Sequence, residues 1–338
     1  MGTMITTDPD PHAPTTPLID VYSKHVTVDP PFDAEATLNK PSHFPSPIEV
    51  RGTGTYQFVT EVAGQNYGCI IDYLDGSNDV DITLYRPKSS SADDQNHPRV
   101  LDEIQRRLGF TVGLDGYEAI WEQDTILSDL PRRMVGARPS SPFSLFEFLI
   151  ICTVLQNTVV RRTVQMMNTL ALEFGTRYTF PSGQAIWGLG RPDQLADIGE
   201  ARLRELKLGY RAKTVTRLAR HFLDNPTLTD DLLTQGNPSD TVQALKEIYG
   251  VGPASAGYIS FEWLKCLDQF DHVSPWEHKI LTKVLFDSQE ATPPELIRFC
   301  QKRWSPFTML AVHAVFESLF WRRERGDGPE WLDPLIRL

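Results

Sequence analysis

The chain has 338 residues, 41% of them hydrophobic and 10% aromatic, enough for two or three units with cores of their own and against wholesale disorder. No apolar run approaches the roughly 18 residues of a membrane span, and no basic-then-apolar leader opens the chain; an intracellular protein of the cytoplasm or nucleoid (the nucleus in a eukaryote), with no membrane partner, is expected. The net charge of −11 argues against a polyanionic partner until its distribution is considered: residues 1–130 carry 8 Lys+Arg against 21 Asp+Glu, whereas residues 131–338 carry 25 against 23.

Residues 1–45 are rich in Pro, Thr and Asp without a sustained period and read as a flexible leader. Order is expected from Ile48. Alternating runs such as Thr55–Val62 and Asp81–Tyr85, separated by the turn signals Gly64-Gln-Asn and Asp75-Gly-Ser-Asn, predict antiparallel strands. Ser89–His97 reads as a polar loop and Val100–Leu108 as a helix. Together these give a small α+β unit over 46–130. From Phe143 the spacing turns helical almost throughout, with a break near Gln156-Asn157, and predicts a two-lobed all-α unit over 131–325 and a tail over 326–338. The fold class is α+β.

Two segments of the helical half carry chemistry. In Leu245–Ala256 a helix-favouring run stops at Gly250-Val251-Gly252 and restarts at Pro253, the signature of two short helices joined by a tight hairpin. Glycines there let backbone N–H groups approach an anion, and the second helix adds its dipole, so phosphate is the natural guest. Read alone, the turn fits an ordinary αα-hairpin better. Upstream, Arg202, Arg204, Lys207, Arg211, Lys213, Arg217 and Arg220 accompany only Glu200 and Glu205; such a run is either a solvated helix face or a phosphate-binding one.

The hairpin, Leu208-Gly-Tyr-Arg-Ala-Lys213 before it and Pro275-Trp276-Glu277-His278 after it together resemble the helix-hairpin-helix DNA glycosylases. The branch of 3-methyladenine DNA glycosylase II and 8-oxoguanine DNA glycosylase is the most similar. The resemblance runs from about Ile48 to Trp321 and is strongest over Phe143–Lys283. It implies a monomeric base-excision-repair enzyme that flips a damaged base out of double-stranded DNA and hydrolyses its N-glycosidic bond, leaving an abasic site. The alternative is a catalytically impaired relative that binds damaged DNA.

The resemblance also implies site residues. Gly250, Val251, Gly252 and Ala254, with Arg211 and Lys213, would hold the DNA backbone, and carbonyls of Tyr249–Gly252 would hold a structural Na+ or K+. Gln156 and Asn157 stand where the family places its intercalating side chain; otherwise they cap or break a helix. The family's catalytic carboxylate is an aspartate two residues after a proline; here that residue is Glu277, one methylene longer, with Asp271 in reserve. Bifunctional members carry a lysine where this chain has Ala254, so strand cleavage is not expected, and Lys265 reads as a surface residue. A flipped base gains from stacking, which nominates Tyr258, Trp276 and Phe316. Cys69, Cys152, Cys266 and Cys300 are scattered, unlike the clustered ligands of the iron-sulfur branch, and no cofactor is required.

Overall fold

A computed structural model describes residues 8–89, 96–286 and 290–335. The chain begins with strand β1 (Thr16–Thr27) and a buried turn of helix, α1 (Ala34–Leu38), followed by the meander β2 (Glu49–Gly52), β3 (Thr55–Val62), β4 (Gln65–Tyr73) and β5 (Asp79–Pro87). Helix α2 (His97–Arg107) covers this sheet: Val100, Leu101 and Ile104 pack with Phe58, Ile71, Ile82 and Leu84. The alternating pattern of β3 to β5 therefore has a physical basis, one face turned to α2 and the pairings antiparallel. The loop expected over Ser89–His97 lies mostly outside the described residues.

Three expectations are corrected. The leader is not without structure: β1 sits inside the sheet, antiparallel to β5 over Leu18–Thr27. Its mixed sequence, in which only Leu18 is buried, hides a strand whose pairing is supplied by β5 rather than by a strongly apolar face. The second half is not all-α either. After α5 (Leu145–Leu155) and α6 (Val160–Phe174), strands β6 (Thr176–Thr179) and β7 (Ala185–Gly188) extend the N-terminal sheet to seven strands, in the order β2-β3-β4-β5-β1-β6-β7. Leu18, Val59, Tyr178, Phe180 and Ile186 form the apolar cluster that joins the two halves there. Third, α3 (Tyr117–Gln123) and α4 (Thr125–Ser128) belong with the C-terminal helices rather than with the sheet: Tyr117, Trp121 and Leu127 share a core with Trp304 and Phe307, and the Tyr117 and Phe307 rings lie 5.2 Å apart.

The remaining helices are α7 (Pro192–Glu205), α8 (Arg211–Asp224), α9 (Leu228–Thr234), α10 (Pro238–Glu247), α11 (Pro253–Tyr258, continued by a π turn over Ile259–Trp263), α12 (Pro275–Leu285), α13 (Pro293–Trp304) and α14 (Thr308–Arg325). They gather around two cores. One joins α5 to α8 with the hairpin residues Ile248 and Val251; the other joins α12 to α14 with α3 and α4. The C-terminal segment packs back on the helices, with Leu332 buried against Phe316, Leu319 and Phe320.

Candidate functional site

The hairpin forms as its sequence predicts. Asn237 caps α10 by accepting the Ser239 N–H at 3.0 Å, and Gly250 breaks the path with a φ of 89° before Gly252 opens α11. The two glycines have different duties. At Gly250 the left-handed φ already excludes most side chains, and a Cβ would collide with Thr214 of α8, so this residue lets α8 and the hairpin pack. At Gly252 φ is −87° and a Cβ would meet nothing within 4 Å, so the backbone faces open space.

Not every nominated N–H is free. Val251 is buried and its N–H closes the turn on the Ile248 carbonyl at 3.0 Å, whereas the N–H groups of Gly250, Gly252 and Ala254 have no protein acceptor among the described residues. Arg211 is also corrected. Only 7% exposed, it stacks on Tyr210 and donates to the Gln156 carbonyl, so it holds the loop between α5 and α6 instead of facing solvent. Gln156 is tied back as well, its Nε2 donating to the Gly250 carbonyl at 2.8 Å. Asn157 is left at the tip, exposed and with a φ of 45°, between the exposed apolar side chains of Leu155 and Val159. That apolar bracket went unread in the sequence, although both residues flank the helix break.

Beyond the hairpin lies a cleft of about 140 Å³. Its walls combine Val242 and Lys246 of α10, Ala254 and Tyr258 of α11, Asp271 in the following loop, Glu277 of α12 and Met309 of α14. Both nominated carboxylates and the position without a lysine thus share one space. Glu277 is the third residue of α12, where it completes a capping box with Ser274: Glu277 Oε2 accepts the Ser274 N–H at 2.9 Å, and Ser274 Oγ accepts the Glu277 N–H at 3.3 Å. Its other oxygen accepts the Tyr258 hydroxyl at 2.9 Å. One carboxylate thus reaches both partners. A carboxylate offers about four lone-pair sites, so two remain for a guest. Asp271 instead leans on Gln269 and, at 3.2 Å, on Gln301.

Of the three nominated aromatics, only Tyr258 lines the cleft. Trp276 and Phe316 pack on each other, with centroids 5.4 Å apart, and the Trp276 indole N–H is held by the Leu335 carbonyl at 2.7 Å, so both serve the cluster around the C-terminal segment. Lys265 is no surface residue. Its Nζ donates to the Arg107, Pro139 and Glu262 carbonyls, and burial pushes its amine well below the ordinary lysine range. Lys246, not singled out in the sequence, is the lysine of the cleft.

No family model and no curated protein matches the chain. Solved structures do. The 3-methyladenine DNA glycosylase of Archaeoglobus fulgidus superposes with a TM-score of 0.70 at 15% identity, over 89% of this chain and 98% of that one. The chain has the fold of the helix-hairpin-helix DNA glycosylases. The apo 8-oxoguanine glycosylase/lyase of Clostridium acetobutylicum matches with a TM-score of 0.67 at 16% identity, covering 89% of this chain and 98% of that one. The same enzyme in complex with double-stranded DNA containing cytosine opposite 8-oxoguanine matches with a TM-score of 0.60 at 18% identity, over 82% and 87%. At such identities the likeness fixes the fold, that is, where the elements lie.

Proposed function

We propose that the protein is a DNA glycosylase of base-excision repair, which hydrolyses the N-glycosidic bond of a damaged base flipped out of duplex DNA and leaves an abasic site. The observation that carries this reading is the cleft itself: a carboxylate on a helix N-terminus, oriented from two sides, stands beside a hairpin with unsatisfied N–H groups, in a fold whose solved examples include DNA glycosylases.

Cleavage of the bond builds positive charge at the sugar C1′. The Glu277 carboxylate stabilises that charge and orients or deprotonates the capturing water. Tyr258 and Ser274 fix the carboxylate before the charge develops, so little reorganisation is needed. Asn157, flanked by Leu155 and Val159, fills the vacated stack, while the open N–H groups of Gly252 and Ala254 hold a backbone phosphate. Of the Tyr249–Gly252 carbonyls, those of Gly250 and Gly252 accept protein donors, leaving Tyr249 and Val251 to hold a monovalent cation that would neutralise phosphate charge. Ala254 offers no amine, which supports release by water without strand cleavage. A base-release assay on duplexes bearing alkylated, oxidised or deaminated bases tests the reading: free base and an intact abasic strand are expected, and no release from any of them refutes it.

A further inference from the structure

The basic segment around α8 divides by what its cations touch. Arg202 is paired with Glu173 at 2.9 Å and Glu205 at 3.3 Å, and Arg204 with Glu200 at 2.7 Å, so these charges are already neutralised. Lys213 and Arg217 are different. They stand four residues apart on one face of α8, where like charges repel, and neither has a carboxylate partner among the described residues. Both instead converge on one ring. The Arg217 guanidinium lies 4.2 Å, and the Lys213 ammonium 5.7 Å, from the centroid of Tyr249, an aromatic left 42% exposed at the hairpin. The ring quadrupole offsets part of the repulsion but leaves the net positive charge in place.

This group is held in register with the hairpin. Thr214, between the two cations in sequence, packs into the space left by the missing Cβ of Gly250. The N–H groups of Gly252 and Ala254 and the two cations are therefore carried by elements that cannot slide past each other without a clash. An aromatic and two unneutralised cations beside an open hairpin suit a polyanion with regularly repeated charges.

We propose that Lys213, Tyr249 and Arg217 form a second backbone clamp, which takes the phosphodiester next to the one held by the hairpin on the same strand of duplex DNA. The inference rests on the reading of the hairpin as a DNA grip, and goes beyond it in making Tyr249 and Arg217 contact residues. The clamp reads no bases. It explains how a chain of net charge −11 concentrates affinity on one face.

The test is the salt dependence of binding to an undamaged duplex of about 20 base pairs, with folding of each variant checked by circular dichroism. Arg217→Ala should lower the slope of log K against log salt by about 0.9, one phosphate's worth, and weaken binding about 3-fold more at 50 mM than at 200 mM salt. Tyr249→Leu should lower it in the same direction, whereas Tyr249→Phe, which keeps the ring, and Arg202→Ala, which removes a paired cation, should leave it unchanged. The proposal is overturned if Arg217→Ala keeps the wild-type slope, or if Arg202→Ala shifts it equally. It is also overturned if Arg217→Ala weakens binding to phosphatidylserine vesicles as much as binding to duplex, which would mark a general anion surface. Duplex binding that survives without base release would refute the glycosylase reading and leave the clamp standing; a wild type that binds no duplex would refute both.

Discussion

Replacing Glu277 with glutamine separates its two duties. As a capping residue, glutamine at this position still serves: its carbonyl can accept the Ser274 N–H, and its amide can donate to the Tyr258 hydroxyl, which rotates to accept. What is lost is the charge at the helix N-terminus, which contributes about 0.3–1 kcal/mol to stability. The melting temperature should therefore fall by a few degrees at most. Turnover should respond far more, because removal of a preorganised group aimed at developing charge costs about 10²–10³-fold. The assay pairs thermal unfolding and binding to an abasic-analogue duplex with single-turnover base release. The reasoning is refuted if the variant releases base at the wild-type rate, which would transfer the role to Asp271. It is equally refuted if activity falls only in proportion to stability, which would make Glu277 a helix cap alone.

Further outcomes follow from the same geometry. Glu277→Asp, too short to reach both Ser274 and Tyr258, should slow release by roughly tenfold to a hundredfold; a faster variant would mean that the cleft is not shaped around glutamate. Gly250→Ala should destabilise the fold, through the left-handed φ and the collision with Thr214, by about 1–3 kcal/mol in denaturant unfolding, whereas Gly252→Ala should fold normally and weaken binding to all duplexes alike. Borohydride should trap no enzyme–DNA adduct, since Ala254 occupies the lysine position; a trapped adduct would point to Lys246, the lysine that lines the cleft. Burial pushes the Glu317 carboxyl up to about 7. The folded state thus keeps a proton that the unfolded chain releases near 4.5, and this group's contribution to stability is lost as pH rises through about 7. The difference in melting temperature between wild type and Glu317→Gln should shift in that direction between pH 4.5 and 7, and a flat difference would contradict it.

How far the sequence revealed this molecule depended on whether a signal was local. The hairpin was legible because Gly-Val-Gly-Pro specifies its own turn, and β3 to β5 because each alternates over one buried face. Strand β1 was not, since most of its side chains are half-buried or exposed and only its position between β5 and β6 makes it a strand. Strands β6 and β7 are four residues each, too short to interrupt a helical reading. At the site, the family resemblance nominated Glu277 and Tyr258, but the hydrogen bond between them was not readable in the sequence, because 19 residues separate them. Arg211 shows why: residue type marks a polar group without showing that the fold has already used it, and Gln156, left open between a helix cap and an intercalating residue, ends α5 with its amide tied to the Gly250 carbonyl.

The central claim is that this cleft stabilises a cationic sugar, and it can be tested without knowing the lesion. Duplexes carrying a positively charged aza-sugar in place of the flipped nucleotide, and matched duplexes carrying a neutral abasic analogue, should be compared for binding to wild type and to Glu277→Gln. A site complementary to the transition state should prefer the cationic analogue by about 10²-fold or more, and the variant should lose most of that preference while binding the neutral duplex nearly as well as wild type. Equal binding of the two duplexes by wild type would contradict the account.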